Sequence, residues 1–464
     1  MKGDSMKGPW MSRTSMLDGI PVVPGGLPAL GHGVRLLRDP LPFLASLPEL
    51  GAMCRIRVGS QSVVVVSDPA LTWLILADDR TFDKGGPFYD RSREIAGDGL
   101  GTCPHSRHRR QRRLCQPAFR SQRMHGYTEI MTSAIAETVR TWDEGRIIDL
   151  GSEMSVMTFG VATETMFSTA VPESVRRRVA ADLGEIAGGL FRRTMMPPAV
   201  SRLPTPDNRR YAAITRRVRD LAGSVIADRR ADGADGGDLL SSLLSARDLD
   251  GSGAVTAFTD EELIDQVFTF FLAGAETSAG CITWALHLLD RNPDVLRRVH
   301  DEVDAVLGGR AAAPGDLPAL PLLGRVVTET LRLYPPVWLV TRLVTEDTRL
   351  EGILLPAGTM VAVSPYLLHR RAGLYDNAAD FVPDRWVDVA PNRMPYLPFG
   401  AGARSCIGQQ FGLTEVVLAL ATITAHWCLS SSTGRPVPMA LTQLPTPKGV
   451  RMRLTQRQVV RSAD

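Results

Sequence analysis

The sequence predicts a mainly α-helical fold with a small β lobe. One helical pattern runs from Thr259 to about Asp290, far longer than the strand-like stretches around it. Those stretches are short and few, at Cys54–Val66, Gly352–Val363 and Leu441–Leu454. A glycine-rich loop, Phe399 to Gly408, then leads into an apolar run of helical length, Phe411 to Trp427. With 464 residues, 44% of them apolar, the chain can bury a large core. A single domain over 20–458 is expected, with a polar, disordered segment at 1–19 and a short tail at 459–464.

Charge excludes little but argues against nucleic acid as a general partner. The 53 basic and 50 acidic residues nearly cancel, leaving a net charge of +3. Six cysteines, at 54, 103, 115, 281, 406 and 428, show no framework spacing, which fits a reducing cytoplasm. Met1–Leu17 lacks a signal-peptide core, and no apolar run of spanning length lies near it, so no membrane anchor is expected. A monomer is expected. No fingerprint for a flavin or nicotinamide is visible, so any electrons must come from a separate protein.

Taken in order, Val22–Pro42 is rich in Pro and Gly and should wrap a surface before a short helix at Leu44–Leu47. Cys54–Val66 reads as strand, Gly-Ser turn, strand, because Ile56, Val58 and Val63–Val66 carry β-branched bias. Leu71–Ala77 is a short helix, and Thr81–Pro104 reads as a long loop. His105–Arg113 is a dense cationic run. It could be a solvated charged face, a basic patch for nucleic acid, or, with Cys103, His105, His108 and Cys115, a metal site. Five arginines nearby would repel a dication. Helical periodicity continues with breaks from about Tyr127 through Ala231. Leu190–Pro206, with Phe191, Met195 and Met196, reads as an apolar loop, and Asp238–Leu244 as a short amphipathic helix.

Thr259 and Glu262 form a capping box at the start of the long helix, and Asn292-Pro293 ends it. Val267–Ala273 is apolar on nearly all sides, so this helix must cross the core. Into that core fall Gly274, Glu276 and Thr277. A glycine there costs up to about 1 kcal/mol against alanine, and a buried unpaired carboxylate costs far more. A purely structural helix would avoid both. Glycine beside a hydroxyl residue is expected to loosen the ladder and open a groove. Helices follow at Pro293–Gly308 and Pro321–Leu333, the second carrying Glu329-Thr330-Leu331-Arg332. Gly352–Val363 is expected to form a hairpin around Pro356-Ala357-Gly358, and Leu441–Leu454 another that turns near Pro445–Gly449.

Cys406 lies just before a helix N-terminus, where unpaired N–H groups favour a thiolate, and Arg404 adds a cation. Glycines at 400, 402 and 408 let the backbone pass close to a large flat partner. A structural cysteine is the plain alternative, but a haem with Cys406 as axial ligand suits the arrangement best. Phe-x-x-Gly-x-Arg-x-Cys-x-Gly fixes five positions, a chance match on the order of 10⁻⁷ per position. The segment resembles the haem-binding loop of the cytochrome P450 family. Further motifs agree in order: Ala273-Gly274-Ala275-Glu276-Thr277-Ser278, then Glu329-x-x-Arg332, then Phe381-x-Pro383-x-Arg385-Trp386.

The resemblance, over roughly 20–458, implies the P450 fold and a haem b monooxygenase. It would insert one oxygen atom of O2 into an apolar molecule, drawing NAD(P)H electrons through a ferredoxin and ferredoxin reductase. Cys406 would hold the iron, with Phe399 beside the sulfur and Gly408 following it. His108, Arg112, Arg342 and Arg404 would anchor the propionates, and the other arginines of 105–113 would face an acidic electron donor. Gly274 would open the oxygen groove, Thr277 would hydrogen-bond O2 or an attendant water, and Glu276 would relay protons. Glu329, Arg332 and Arg385 would lock the scaffold. The pocket would take in Phe191, Phe268, Phe271, Ala273, Val337, Trp338, Val340 and Leu444, with 190–206 as its lid. His at 108 and Glu at 276 depart from the commonest Trp and Asp. The pattern is similar to actinobacterial members that oxidise cyclic terpenes, including pentalenene-type sesquiterpenes, in natural-product pathways. A fatty acid, steroid or macrolide would also suit the pocket. A haem-binding sensor or carrier is the rival from another class, and a peroxide-driven enzyme, which would lack Thr277, a nearer one.

Overall fold

The structure, a computed structural model, describes residues 17, 19–59, 61–168, 172–196, 198–233, 235–249, 255–391, 395–432, 439–441, 445–447 and 449–458. Most of 1–19, all of 459–464, and Leu444 lie outside them. The chain divides into two compact units. One takes in Met1–Gly86, Leu339–Leu368 and Gly400–Ser405, the other Pro87–Trp338, His369–Phe399 and Cys406–Asp464. Among the described residues no helix is long and apolar enough to cross a membrane.

The smaller unit is built on a five-stranded sheet. Met53–Val58 pairs antiparallel with Gln61–Val66, which runs parallel to Met360–Val363. That strand pairs antiparallel with Val340–Val344, and Phe82–Asp83 closes the edge. Val63–Val66 is buried at every position, as a strand covered on both faces requires. The expected hairpin across Gly352–Val363 does not form. Ile353–Leu355 instead pairs back with Thr348–Leu350, through Glu351 and Gly352, both at positive φ. Two such residues make the tight turn that suits a two-residue hairpin, so the reversal falls there and not at Pro356–Gly358.

The larger unit is helical around one continuous core. Its axis is the helix Asp260–Arg291, which packs on Leu150–Phe167, Pro206–Asp232, Pro321–Leu333 and Gln409–His426. Thr259 accepts from the Glu262 N–H and the Glu262 carboxylate accepts from the Thr259 N–H, so the capping box is complete. The helix continues unbroken through Gly274, so the expected loosening of the ladder is not seen.

Three local expectations change. Within 81–104 the chain forms a helix, Pro87–Ala96, with Tyr89, Ser92, Ile95 and Ala96 buried at helical spacing. Within 190–206 the preceding helix runs on to Met195, and Pro198–Arg202 is a further short helix. Thr205 then caps Pro206–Asp232, with Pro206 at a first-turn position that needs no N–H. Finally, Arg451–Gln456 pairs with Trp427–Ser431 and Ile147–Asp149, while Met439–Leu441 pairs with Pro445–Pro447. Met452 and Leu454 alternate with exposed Arg451 and Arg453, so a long-range pairing that buries one face outweighs a local hairpin.

Candidate active site

Cys406 stands between a 3₁₀ turn, Gly402–Arg404, and the helix Gln409–His426, which Gly408 caps. Its own N–H donates to the Phe399 carbonyl at 2.8 Å, closing the loop at its base. Of the six cysteines it is the exposed one. Protein mass around it still pushes the thiol pKa up, while the Gly408 N–H and the nearby Arg112 cation pull it down. Burial prevails over those two, so the helix end alone does not ionise this sulfur. A metal cation would supply what is missing.

Within the smaller unit, Gly402 (φ +68°) is held where a Cβ would lie 2.6 Å from the Leu76 carbonyl oxygen and 2.7 Å from the Ala77 Cα. Only glycine fits against the end of the helix Pro69–Ala77. Arg404 fastens the same loop, its Nε on Asp79 and its Nη2 on Asp83, each at 2.8 Å, with the side chain 1% exposed. The guanidinium expected at a propionate thus also anchors the loop through two carboxylates. Arg342 is buried on Val340–Val344 and donates to the Thr341 carbonyl at 2.9 Å. Val340, beside it, is half-buried.

His108 and Arg112 share one face of His105–Cys115, the first buried and the second half-buried and close enough to Cys406 to feel its charge. Of the remaining arginines, Arg109 is exposed, and the other three each meet a carboxylate. Arg107 pairs with Asp98, Arg110 with Glu262 and Arg113 with Asp248. Two glutamines that no motif marks out stitch this helix in. Gln266 accepts from the Leu100 N–H and donates to Gln111, which donates to the Asp98 carbonyl.

The central helix is buried along most of its length, but Ala273 is exposed and Gly274 and Thr277 are partly so. A Cβ on Gly274 would meet nothing within 4 Å. The Thr277 hydroxyl donates to the Ala273 carbonyl at 2.5 Å. Glu276 is about 100° round the axis from Thr277. Its Oε1 faces Gly184 on the helix Glu173–Met195, and burial raises the carboxyl pKa to about 7. Phe268 and Phe271, expected on the pocket wall, face the other way. Phe268 is fully buried, and Phe271 packs between Phe159 and Phe167. They follow the stripe of Ala275, Ala279 and Ile282, on the helix face opposite Ala273 and Thr277. Phe191 is half-buried, Val337 exposed and Trp338 buried. The sequence reading missed Phe119, which touches Phe270 edge to face and sits 3.8 Å from a Cβ built on Gly408. It also missed Thr158, whose hydroxyl lies 2.9 Å from the Ala275 carbonyl.

Glu329, Arg332 and Arg385 come together. Arg332 holds Glu329 through Nε and Nη2, both at 2.9 Å, and both side chains are wholly buried. Glu329 also accepts from Arg385 Nε, the Val382 N–H and, unforeseen, the Trp386 indole N–H. Burial alone would raise the Glu329 pKa, but Arg332, the Val382 N–H and Arg385 outweigh it and hold the carboxyl below its usual value.

An accessible thiol with an N–H and a cation beside it, and an open strip on a buried helix, are what a haem requires of its protein. The residues present fit it. The family model for Cytochrome P450 matches residues 21–452. Pentalenene oxygenase of Streptomyces avermitilis is 42% identical over 94% of this chain and 97% of its own length. Cyclooctat-9-en-7-ol 5-monooxygenase of Streptomyces melanosporofaciens is 40% identical over 93% and 91%, and cyclooctatin synthase of the same organism 41% over 90% of each. The chain therefore belongs to the cytochrome P450 family, and it is a haem-dependent monooxygenase.

Proposed function

We propose that this monooxygenase inserts one oxygen atom of O2 into a cyclic terpenoid, using NAD(P)H electrons delivered by a ferredoxin and its reductase. The observation that carries the catalytic half is the open strip of Ala273, Gly274 and Thr277 on a buried helix, in the same unit as the accessible Cys406. The substrate half is supported by relatives named for pentalenene and for cyclooctatin chemistry. The six scattered cysteines favour a reducing compartment, and the reading places the enzyme in the cytoplasm.

Haem, when bound, supplies the redox chemistry that activates O2. Cys406 would hold the iron through its sulfur, and the Gly408 N–H and Arg112 would temper the charge on it. His108 and Arg112 would offer hydrogen bonds and positive charge to the propionates. Thr277 can turn its hydroxyl from the Ala273 carbonyl toward O2 or a water. Glu276, titrating near neutral pH, is suited to take up a proton and pass it on. Glu329, Arg332 and Arg385 keep the scaffold beneath the cysteine rigid, and Ala273, Phe191 and Val337 remain candidates for the substrate wall.

The test is turnover with NADPH, ferredoxin, reductase and isotopically labelled O2 across cyclic sesquiterpenes, diterpenes, fatty acids and macrolides. One labelled oxygen in a terpene product is expected. Thr277→Ala should lower product per NADPH by roughly tenfold or more, in the range that general acid–base and hydrogen-bonding groups contribute. Oxidation confined to fatty acids or macrolides overturns the substrate class. Unchanged coupling in Thr277→Ala overturns the role of the hydroxyl.

A further inference from the structure

We propose that His369 is a positioning residue for Cys406, fixing the segment that leads into the cysteine loop by accepting the Leu397 N–H while donating to the Arg332 carbonyl. The inference rests on Cys406 carrying the iron. His369 is fully buried, with Nδ1 3.1 Å from the Arg332 carbonyl oxygen and Nε2 2.8 Å from the Leu397 nitrogen. A backbone N–H can only donate, so Nε2 must be the bare nitrogen. Nδ1 then carries the hydrogen and gives it to Arg332. The two backbone partners thereby choose the tautomer.

The position in the chain gives this bond its reach. Arg332 is the cation of the buried Glu329 network, and it returns a hydrogen bond from its guanidinium to the His369 carbonyl at 2.7 Å. Leu397 is followed by Pro398, which has no N–H, and then by Phe399, whose carbonyl receives the Cys406 N–H. One ring thus connects the rigid scaffold to the segment whose Phe399 carbonyl holds the Cys406 N–H. The other supports of that segment are longer: Tyr396 Oη to the Thr328 carbonyl at 3.2 Å and Tyr375 Oη to the Pro395 carbonyl at 3.3 Å. Tyr396 also stacks on the imidazole at 5.5 Å, which restrains its plane. Burial holds the imidazole pKa down to about 3, so the acceptor persists throughout the working range of pH.

The experiment compares holoenzyme carrying His369→Phe, His369→Gln and His369→Asn. Gln can place an amide group where Nε2 sits, and Asn one where Nδ1 sits. Two readouts are taken: the carbon monoxide spectrum of the reduced protein, which separates thiolate from thiol ligation, and hydrogen exchange at the Leu397 amide. His369→Phe is expected to speed that exchange by about tenfold or more and to convert part of the thiolate band to the thiol form. His369→Gln should restore both. Wild-type exchange and an unchanged band in His369→Phe overturn the proposal. Should His369→Phe not accumulate as folded protein, equal bands in the Gln and Asn variants overturn it, and a band kept by Gln and lost by Asn supports it. A wild-type protein without the thiolate band, and unaltered by Cys406→Ser, removes the iron-ligand reading itself. Failure of the positioning role alone leaves that band intact in every His369 variant.

Discussion

Burial lifts the Glu276 carboxyl to about 7, which makes its charge state a variable at physiological pH. Its folded pKa stands above the ordinary 4.5, so its share of stability is complete below that value and is lost as pH rises through about 7. At 1.36 kcal/mol per pH unit the loss reaches up to about 3 kcal/mol. Glu276→Gln should therefore match wild type in thermal melts near pH 5 and exceed it near pH 8.5. A difference that does not change with pH would remove the carboxyl from its buried setting. The need for an acid beside Thr277 was legible in the sequence, because a glutamate in an apolar helix is costly unless used. Its direction, toward Gly184, was not, since it depends on a helix remote in the chain. Phe268 and Phe271 teach the converse. Their spacing with Ala275, Ala279 and Ile282 marks the buried stripe, and a helical wheel drawn from those positions would have set them opposite Ala273 and Thr277.

At the scale of elements, the helices were more legible than the strand pairings. Asp260–Arg291 and Pro321–Leu333 announce themselves through a capping box, prolines at the first turn and apolar periodicity. The partners of Met360–Val363 and Arg451–Gln456 could not be read, because a strand records its buried face and not which distant strand will cover its edge. The helix Pro87–Ala96 was hidden by charged residues, among them Arg91, which is buried in the fold. The cysteine loop combines both cases. Its glycines were plain in the sequence, whereas the neighbour that makes Gly402 obligatory, the end of Pro69–Ala77, was not. Gly402→Ala should cost about 2 kcal/mol or more, from positive φ and from contact with backbone that cannot yield. Differential scanning calorimetry of the holoenzyme would register it as a lowered Tm, and an unchanged Tm would mean the loop has room to shift.

Across the whole molecule, the family and its chemistry were readable because they rest on short motifs in a fixed order, while pocket, lid and charge surface rest on how distant segments meet. The cationic run at 105–113 illustrates the difference. On paper it is a positive rod; in the folded chain Arg107, Arg110 and Arg113 each face a carboxylate from elsewhere in the sequence. Adjacent opposite charges produce a field that fades within a few ångströms, well inside the screening distance of physiological salt, which is about 8 Å. An approaching redox partner is then guided less by attraction at a distance than by the fit of surfaces once they touch. Stopped-flow association rates should accordingly fall by less than about tenfold between low and physiological ionic strength, and a steeper drop would locate the steering charges on another face. By setting three of these arginines against its own acids, the chain trades speed of capture for tolerance of the ionic conditions in which it must meet a redox partner.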